Sequence, residues 1–231
     1  MFFPLINDRK RFIAFWNAKA GCTALKRWYL STMNIDADSV NPHKFLASRQ
    51  AMFSRQEVEA RLREGYYSFI VCRNPWKRVV SYYKNKKVQV GWKNKTWPID
   101  VRVRDMNSEH FSFRDLVEFI EKTPDCFLEQ HVQNQTSQLE NIKFDKIVKL
   151  ESYEKHMTEL CDQLGIVQRD FRNPNKSLVT NNKNMVCDLR PHEFNKDNMP
   201  AYRYFYDEEL RYKIEQKFTR DIEFFNYKFE D

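Results

Sequence analysis

The sequence predicts an α/β fold, a single domain over 1–231 with a central parallel sheet flanked by helices. Three observations carry this. Phe12 to Trp16 and Ser68 to Cys72 are apolar runs of strand length. Each ends in a short loop that opens directly into residues with helical spacing. A third run, Phe144-Asp-Lys-Ile-Val-Lys-Leu150, repeats the order of strand then helix. Strands alternating with helices make a parallel sheet covered on both faces. Ligands of such sheets sit beyond the carboxyl ends of the strands.

The elements follow in order. Arg11 to Trp16 is a buried strand, rich in aromatics, that ends in the turn Asn17-Ala18-Lys19-Ala20-Gly21. From Cys22 to about Thr32 the spacing is helical, with Leu25, Trp28 and Tyr29 on one side. Ser54 with Glu57 three residues later is a capping box, and Gly65 stops the helix it opens. Tyr67 to Cys72 is the second strand. Asn74-Pro75 then starts a helix reaching about Lys86. Phe113 to Lys122 is a helix capped by Ser112, and Ser152 to Leu164 one stopped by Gly165. Residues 172–200 read mostly as loop, and Asp207 to about Arg220 as a last amphipathic helix.

Composition narrows the function classes. Of 231 residues, 42% are hydrophobic and 15% aromatic, enough for a substantial core, and 31% are charged. No apolar run approaches the roughly 20 residues of a membrane span. The N-terminus reaches Asn7-Asp8-Arg9-Lys10 too early for a signal peptide, so the expected location is cytoplasmic. The five cysteines, Cys22, Cys72, Cys126, Cys161 and Cys187, are scattered and form no CxxC pair. That pattern argues against a zinc site or a disulfide framework and for reduced thiols, mostly buried. The net charge of +7 favours anionic partners: nucleic acid, acidic glycans or polyphosphorylated cofactors.

Two loops carry the chemistry. The first is Lys19-Ala20-Gly21-Cys22-Thr23, at the carboxyl end of one strand and the start of a helix. Free backbone N–H groups and the helix dipole favour an anion there. Gly21 lets the backbone approach a phosphate closely. Thr23 adds a hydroxyl and Lys19 a mobile cation. This is the logic of a P-loop-like nucleotide-binding core, although GxxxxGK[ST] is absent, because the lysine precedes the glycine. An ordinary turn before a helix has the same pattern. The second loop opens Arg73-Asn-Pro-Trp-Lys-Arg-Val-Val-Ser81. Arg73 follows a strand, and Ser81 lies eight residues on, about two helical turns into the next helix. An arginine fork and a serine hydroxyl hold one phosphate from two directions. A helix-start arginine beside a surface serine is the plainer alternative.

Both loops together resemble a known family. Lys19-Ala-Gly-Cys-Thr-Ala-Leu-Lys-Arg27 is similar to the 5′-phosphosulfate loop of sulfotransferases that use 3′-phosphoadenosine-5′-phosphosulfate (PAPS). More narrowly it resembles the carbohydrate (Golgi-type, family 2) branch and its bacterial and viral relatives. Arg73 to Asn85 resembles that branch's 3′-phosphate motif. Glu129-Gln-His-Val-Gln-Asn-Gln135 is similar to a later histidine-containing segment, and Phe144 to Glu151 to the third core strand with its glutamate. Asn175-Lys176-Ser177 resembles a stretch near the donor, and Asp221 to Tyr227 the usual C-terminal ending. The matches run in family order from about Phe12 to Tyr227. One departure is Ala18, where the family commonly has proline.

The resemblance implies in-line transfer of SO₃ from PAPS, leaving PAP, to an acceptor hydroxyl or amine, with the sulfated group on a carbohydrate. Lys19 would stabilise the leaving phosphate. Ala20, Gly21, Cys22, Thr23 and Ala24 would hold the 5′-phosphate, Arg73 and Ser81 the 3′-phosphate, and Lys176 with Ser177 would lie beside the donor. No metal is implied. For the general base, His131 stands first and His43 second, with Glu129 or Glu151 as carboxylate alternatives; His156, inside a helix, reads as structural. The stretch Lys84 to Arg104, bearing Trp92 and Trp97, is either an acceptor wall or a solvated basic loop. A P-loop kinase is disfavoured by the position of the lysine. A nucleic-acid-binding module is disfavoured because the cations form no repeated stripe. The partner expected is a glycan or glycosylated acceptor, not nucleic acid or membrane.

Overall fold

The computed structural model describes residues 4–49, 53–85, 111–137, 139, 141–167, 184–195 and 199–231. In chain order the elements are β1 (Leu5–Asn7), β2 (Phe12–Trp16), α1 (Cys22–Thr32), α2 (Pro42–Arg49), α3 (Arg55–Arg63), β3 (Tyr67–Cys72), α4 (Pro75–Tyr83), α5 (Phe113–Lys122), β4 (Lys146–Lys149), α6 (Tyr153–Leu164), α7 (Glu208–Lys217) and α8 (Thr219–Phe225). Short 3₁₀ turns lie between some of them, one at Leu150–Ser152. The chain divides into two compact units.

The first unit comprises Met1–Asn74, Gln135–Lys176 and Asp231. It holds a four-stranded sheet in the order β1-β2-β3-β4. β2, β3 and β4 are parallel, with Trp16 opposite Val71 and Cys72 opposite Lys149. Their carboxyl ends therefore share one edge of the sheet. The central sheet is parallel as expected, with one added edge strand: β1 pairs antiparallel with β2. Three residues are too few to show alternation, so this edge strand left no pattern to read. The second missed element is α2, whose proline start and eight residues mix polar and apolar groups without a clear stripe.

The interior of β2 and β3 is buried on both faces, as their unbroken apolar runs require. On one face Phe12, Ala14, Phe69, Val71 and Val148 pack with Leu25 and Trp28 of α1 and with Met157 and Leu160 of α6. On the other, Phe15 meets Phe144 edge-on at 5.1 Å. Register is fixed by polar contacts as well. The Ser68 backbone N–H and hydroxyl both donate to Asp145 Oδ2, at 2.7 and 2.9 Å. The Ser54–Glu57 capping box forms as the spacing demands. α3 ends with Gly65 at φ 81°, its N–H donating to Leu62 and that of Tyr66 to Arg61.

The second unit, Pro75–Asn134 with Ser177–Glu230, is helical among its described residues and has its own core. Trp76, Val79 and Tyr83 of α4 pack with Phe113, Leu116 and Val117 of α5 and with Leu210 and Ile214 of α7. Phe113, Phe205 and Tyr206 meet edge-on within 5.3 Å. The last amphipathic run breaks at Phe218 into α7 and α8, because the buried Phe218 ring anchors the corner. Among the described residues no helix is long and apolar enough to cross a membrane. All five cysteines are free thiols; Cys72, Cys161 and Cys187 are buried, Cys22 is half-buried and Cys126 exposed.

Candidate active site

Three loops meet at the carboxyl edge of the sheet in the first unit. The loop after β2 turns tightly, with the Ala20 N–H donating to the Asn17 carbonyl at 3.2 Å. Lys19 takes φ 64° and Gly21 φ 76°. A left-handed lysine is uncommon, because its Cβ crowds the backbone. The loop after β3 holds it in place: Arg73 Nη1 donates to the Lys19 carbonyl at 2.9 Å. Arg73 is itself clamped by Gln135, whose side chain accepts from the Arg73 N–H at 2.9 Å and donates to its carbonyl at 2.8 Å. The loop after β4 supplies Leu150 and Glu151. Glu151 Oε1 accepts from the Asn74 N–H at 3.1 Å.

Gly21 is the N-cap of α1 and offers no side chain to the first turn. The N–H groups of that turn are therefore without a side-chain cap, and no acidic residue offsets the positive end of the dipole. A Cβ on Gly21 would lie 2.5 Å from Leu150 Cδ1. The loop thus presents bare backbone against a close apolar wall. Just before it, the Trp16 indole N–H and the Asn17 amide nitrogen are buried with no hydrogen-bond partner. Each such orphan costs about 1–3 kcal/mol.

A family model described as sulfotransferase family matches residues 5–228, nearly the whole chain. The chain belongs to the sulfotransferase family. No curated protein and no solved structure matches it. It is an enzyme that transfers sulfuryl groups, and the α/β sheet with its P-loop-like core is the fold the family implies.

In this sulfotransferase the first unit brings together Lys19, Ala20, Gly21, Cys22, Thr23, Ala24, Arg73 and, from α2, His43. His43 Nε2 lies 2.9 Å from Thr23 Oγ1, and its Nδ1 lies 3.3 Å from Lys26 Nζ. Lys26 is the residue that sequence reasoning passed over. It is buried, with its ammonium 3.8 Å from the centre of the Trp16 ring. Burial pushes its pKa below the usual lysine value. Its place in the Leu25-Lys26-Arg27 run on a helix was the only signal, and solvated lysines look the same. His156 is structural, as its position in a helix suggested. Its Nδ1 accepts from the Lys149 N–H at 3.1 Å, and burial lowers its pKa.

The second unit carries Ser81, on α4, and His131. The His131 ring is hydrogen-bonded through Nδ1 to Glu129 Oε1, and its backbone N–H donates to Glu129 Oε2 at 3.0 Å. The carboxylate thus orients the imidazole. Arg78 of α4, only 1% exposed, holds this segment by donating to the carbonyls of Gln130 and Gln133. One part of the basic stretch needs correction. Lys84 is buried, donates to the Pro200 carbonyl at 2.6 Å and faces the Phe205 ring, so it is a core cation and not part of an acceptor wall. From residue 86 on, the stretch that reaches Arg104, and Lys176 and Ser177, lie outside the described residues. Among the described residues no cluster of three or more His, Cys, Asp or Glu is placed to hold a metal ion.

Proposed function

We propose that this sulfotransferase uses PAPS as donor and transfers its sulfuryl group to a hydroxyl on a carbohydrate-bearing acceptor. The observation that carries the donor reading is the uncapped start of α1 at Gly21, beside a left-handed Lys19 and the Arg73 guanidinium. A phosphosulfate is an anion with many acceptor oxygens, and this loop offers backbone donors, a hydroxyl and two cations. The two compact units are read as halves of one sulfotransferase domain, because the family match runs through both.

Ala20 to Ala24 would grip the 5′-phosphate, with the Thr23 hydroxyl. Arg73 and Ser81 would take the 3′-phosphate, with Lys176 and Ser177 beside the donor. As the acceptor oxygen bonds to sulfur and the bond between sulfur and the bridging oxygen breaks, Lys19 would neutralise the charge gathering on the leaving phosphate. His131, oriented by Glu129, would remove the acceptor's proton. Little covalent work falls to the protein, so rate comes from positioning and charge. The carbohydrate acceptor rests on the branch that the two loops resemble, and the net charge of +7 suits an acidic glycan.

Calorimetry with PAP and AMP tests the donor. Clear binding of PAP and much weaker binding of AMP are expected, since the 3′-phosphate is what Arg73 and Ser81 read; equal affinities would overturn the assignment. A radiolabelled-sulfate screen across glycans, lipids and small alcohols identifies the acceptor class, and transfer to non-sugar alcohols alone would overturn the carbohydrate reading.

A further inference from the structure

Two hydrogen bonds of the His43 ring together decide where its proton sits. Lys26 Nζ stands 3.3 Å from Nδ1. An ammonium can only donate, so Nδ1 is an acceptor and the neutral ring carries its proton on Nε2. That N–H points at Thr23 Oγ1, 2.9 Å away, and the hydroxyl accepts it. In this contact the hydroxyl uses a lone pair and not its own proton. The Lys26 end of this hydrogen-bonded series is well held. Lys26 lies on α1 with its ammonium over the Trp16 ring, at the end of β2, so the loop is bracketed from both sides by one cation–π contact. A buried cation is costly unless it is held, and here the ring face and the imidazole nitrogen hold it.

We propose that Lys26 and His43 are positioning residues which orient the Thr23 hydroxyl so that its proton points to the donor's 5′-phosphate, and that His43 is therefore not the general base. This rests on the PAPS reading of the loop. A base needs a lone pair for the acceptor's proton. In His43 the Nδ1 lone pair meets an ammonium and Nε2 is protonated, so the ring has none to offer. The relay runs from Lys26 to His43 to Thr23 and ends on the loop that grips the donor.

A double-mutant cycle with PAP binding tests it. Thr23→Ala and His43→Ala should each weaken PAP by about tenfold, the weight of one well-made hydrogen bond to a charged group. The Thr23→Ala/His43→Ala pair should bind no worse than Thr23→Ala alone, because His43 acts through that hydroxyl. His43→Gln, whose amide can still donate from about the position of Nε2, should recover most of the loss. Lys26→Met should weaken PAP in the wild-type background and not in Thr23→Ala. Additive losses in the paired variant would overturn the relay. So would a His43→Ala protein that binds PAP normally but has lost turnover, which is the behaviour of a base. If the wild-type protein fails to bind PAP, the donor reading falls and takes this inference with it; binding with additive variants sinks the relay alone.

Discussion

The guanidinium of Arg73 donates to the backbone carbonyl of Lys19, across 54 residues of sequence, at 2.9 Å. This bond joins the loops after two neighbouring parallel strands. It also explains how Lys19 keeps a left-handed backbone that its Cβ disfavours.

Arg73→Ala removes the tie to Lys19 and the cation together. PAP affinity is expected to fall roughly 10- to 100-fold, and the preference for PAP over AMP to shrink. Arg73→Lys keeps a charge but not the planar fork, so it should lie between the two. Calorimetric titration with both nucleotides checks this. An unchanged preference in Arg73→Ala would remove Arg73 from the 3′-phosphate site.

Gly21→Ala faces two penalties, a φ of 76° and a Cβ 2.5 Å from Leu150 Cδ1. The backbone cost alone is about 1–2 kcal/mol. The melting temperature should drop by several degrees, at about 2–4 °C per kcal/mol for a chain of this size. Adding Leu150→Ala relieves the clash but not the backbone strain, so in the Leu150→Ala background Gly21→Ala should cost less than in the wild type. An equal cost in both would mean that Leu150 moves aside freely.

On the proposed mechanism, variants of His131 and Glu129 should separate chemistry from binding. His131→Ala should reduce turnover by roughly 10²–10⁴-fold, the usual weight of a general base, while PAP affinity stays close to that of the wild type. Glu129→Gln should reproduce part of that loss, because the imidazole loses its orienting carboxylate. Retained turnover in His131→Ala would move the base to a carboxylate such as Glu151.

The His156 contact makes stability depend on pH. Burial lowers the folded pKa, and Nδ1 is engaged by the Lys149 N–H, so the folded state prefers the neutral ring. The unfolded chain, with a pKa of about 6.5, binds the proton first. Below that value the unfolded state holds more protons than the folded one, so this contribution is full above about pH 6.5 and is lost as pH falls toward the folded pKa. Denaturant titrations from pH 8 to pH 5 should show the decline, and His156→Gln should flatten it. An unchanged slope in the variant would assign the effect to other groups.

Much of the fold was legible in local patterns. β2 and β3 read as unbroken apolar runs, because buried parallel strands show no alternation. Ser54, Gly65, Ser112 and Gly165 marked their helix ends, because capping chemistry is local to a few residues. β1 and α2 were not legible, since three and eight residues carry too little periodicity to stand out. The corner at Phe218 was hidden for another reason: both halves share a helical pattern, and only the buried ring shows where the direction changes.

At the site the division is similar. The sequence by itself determined the two loops, their order after two strands, and the glycine that bares the start of α1, because each is a property of a few neighbouring residues. Only the tertiary structure decided what those loops do to one another. That Arg73 holds the Lys19 carbonyl, that Glu129 orients His131, and that Lys26 turns toward His43 instead of water are matters of distance and burial. Lys26 is the sharpest case. On a helix surface a lysine is a solvated charge, and nothing in its neighbours along the chain distinguishes it. Folding puts an indole face and an imidazole nitrogen around it, and those partners then hold a charge withdrawn from water.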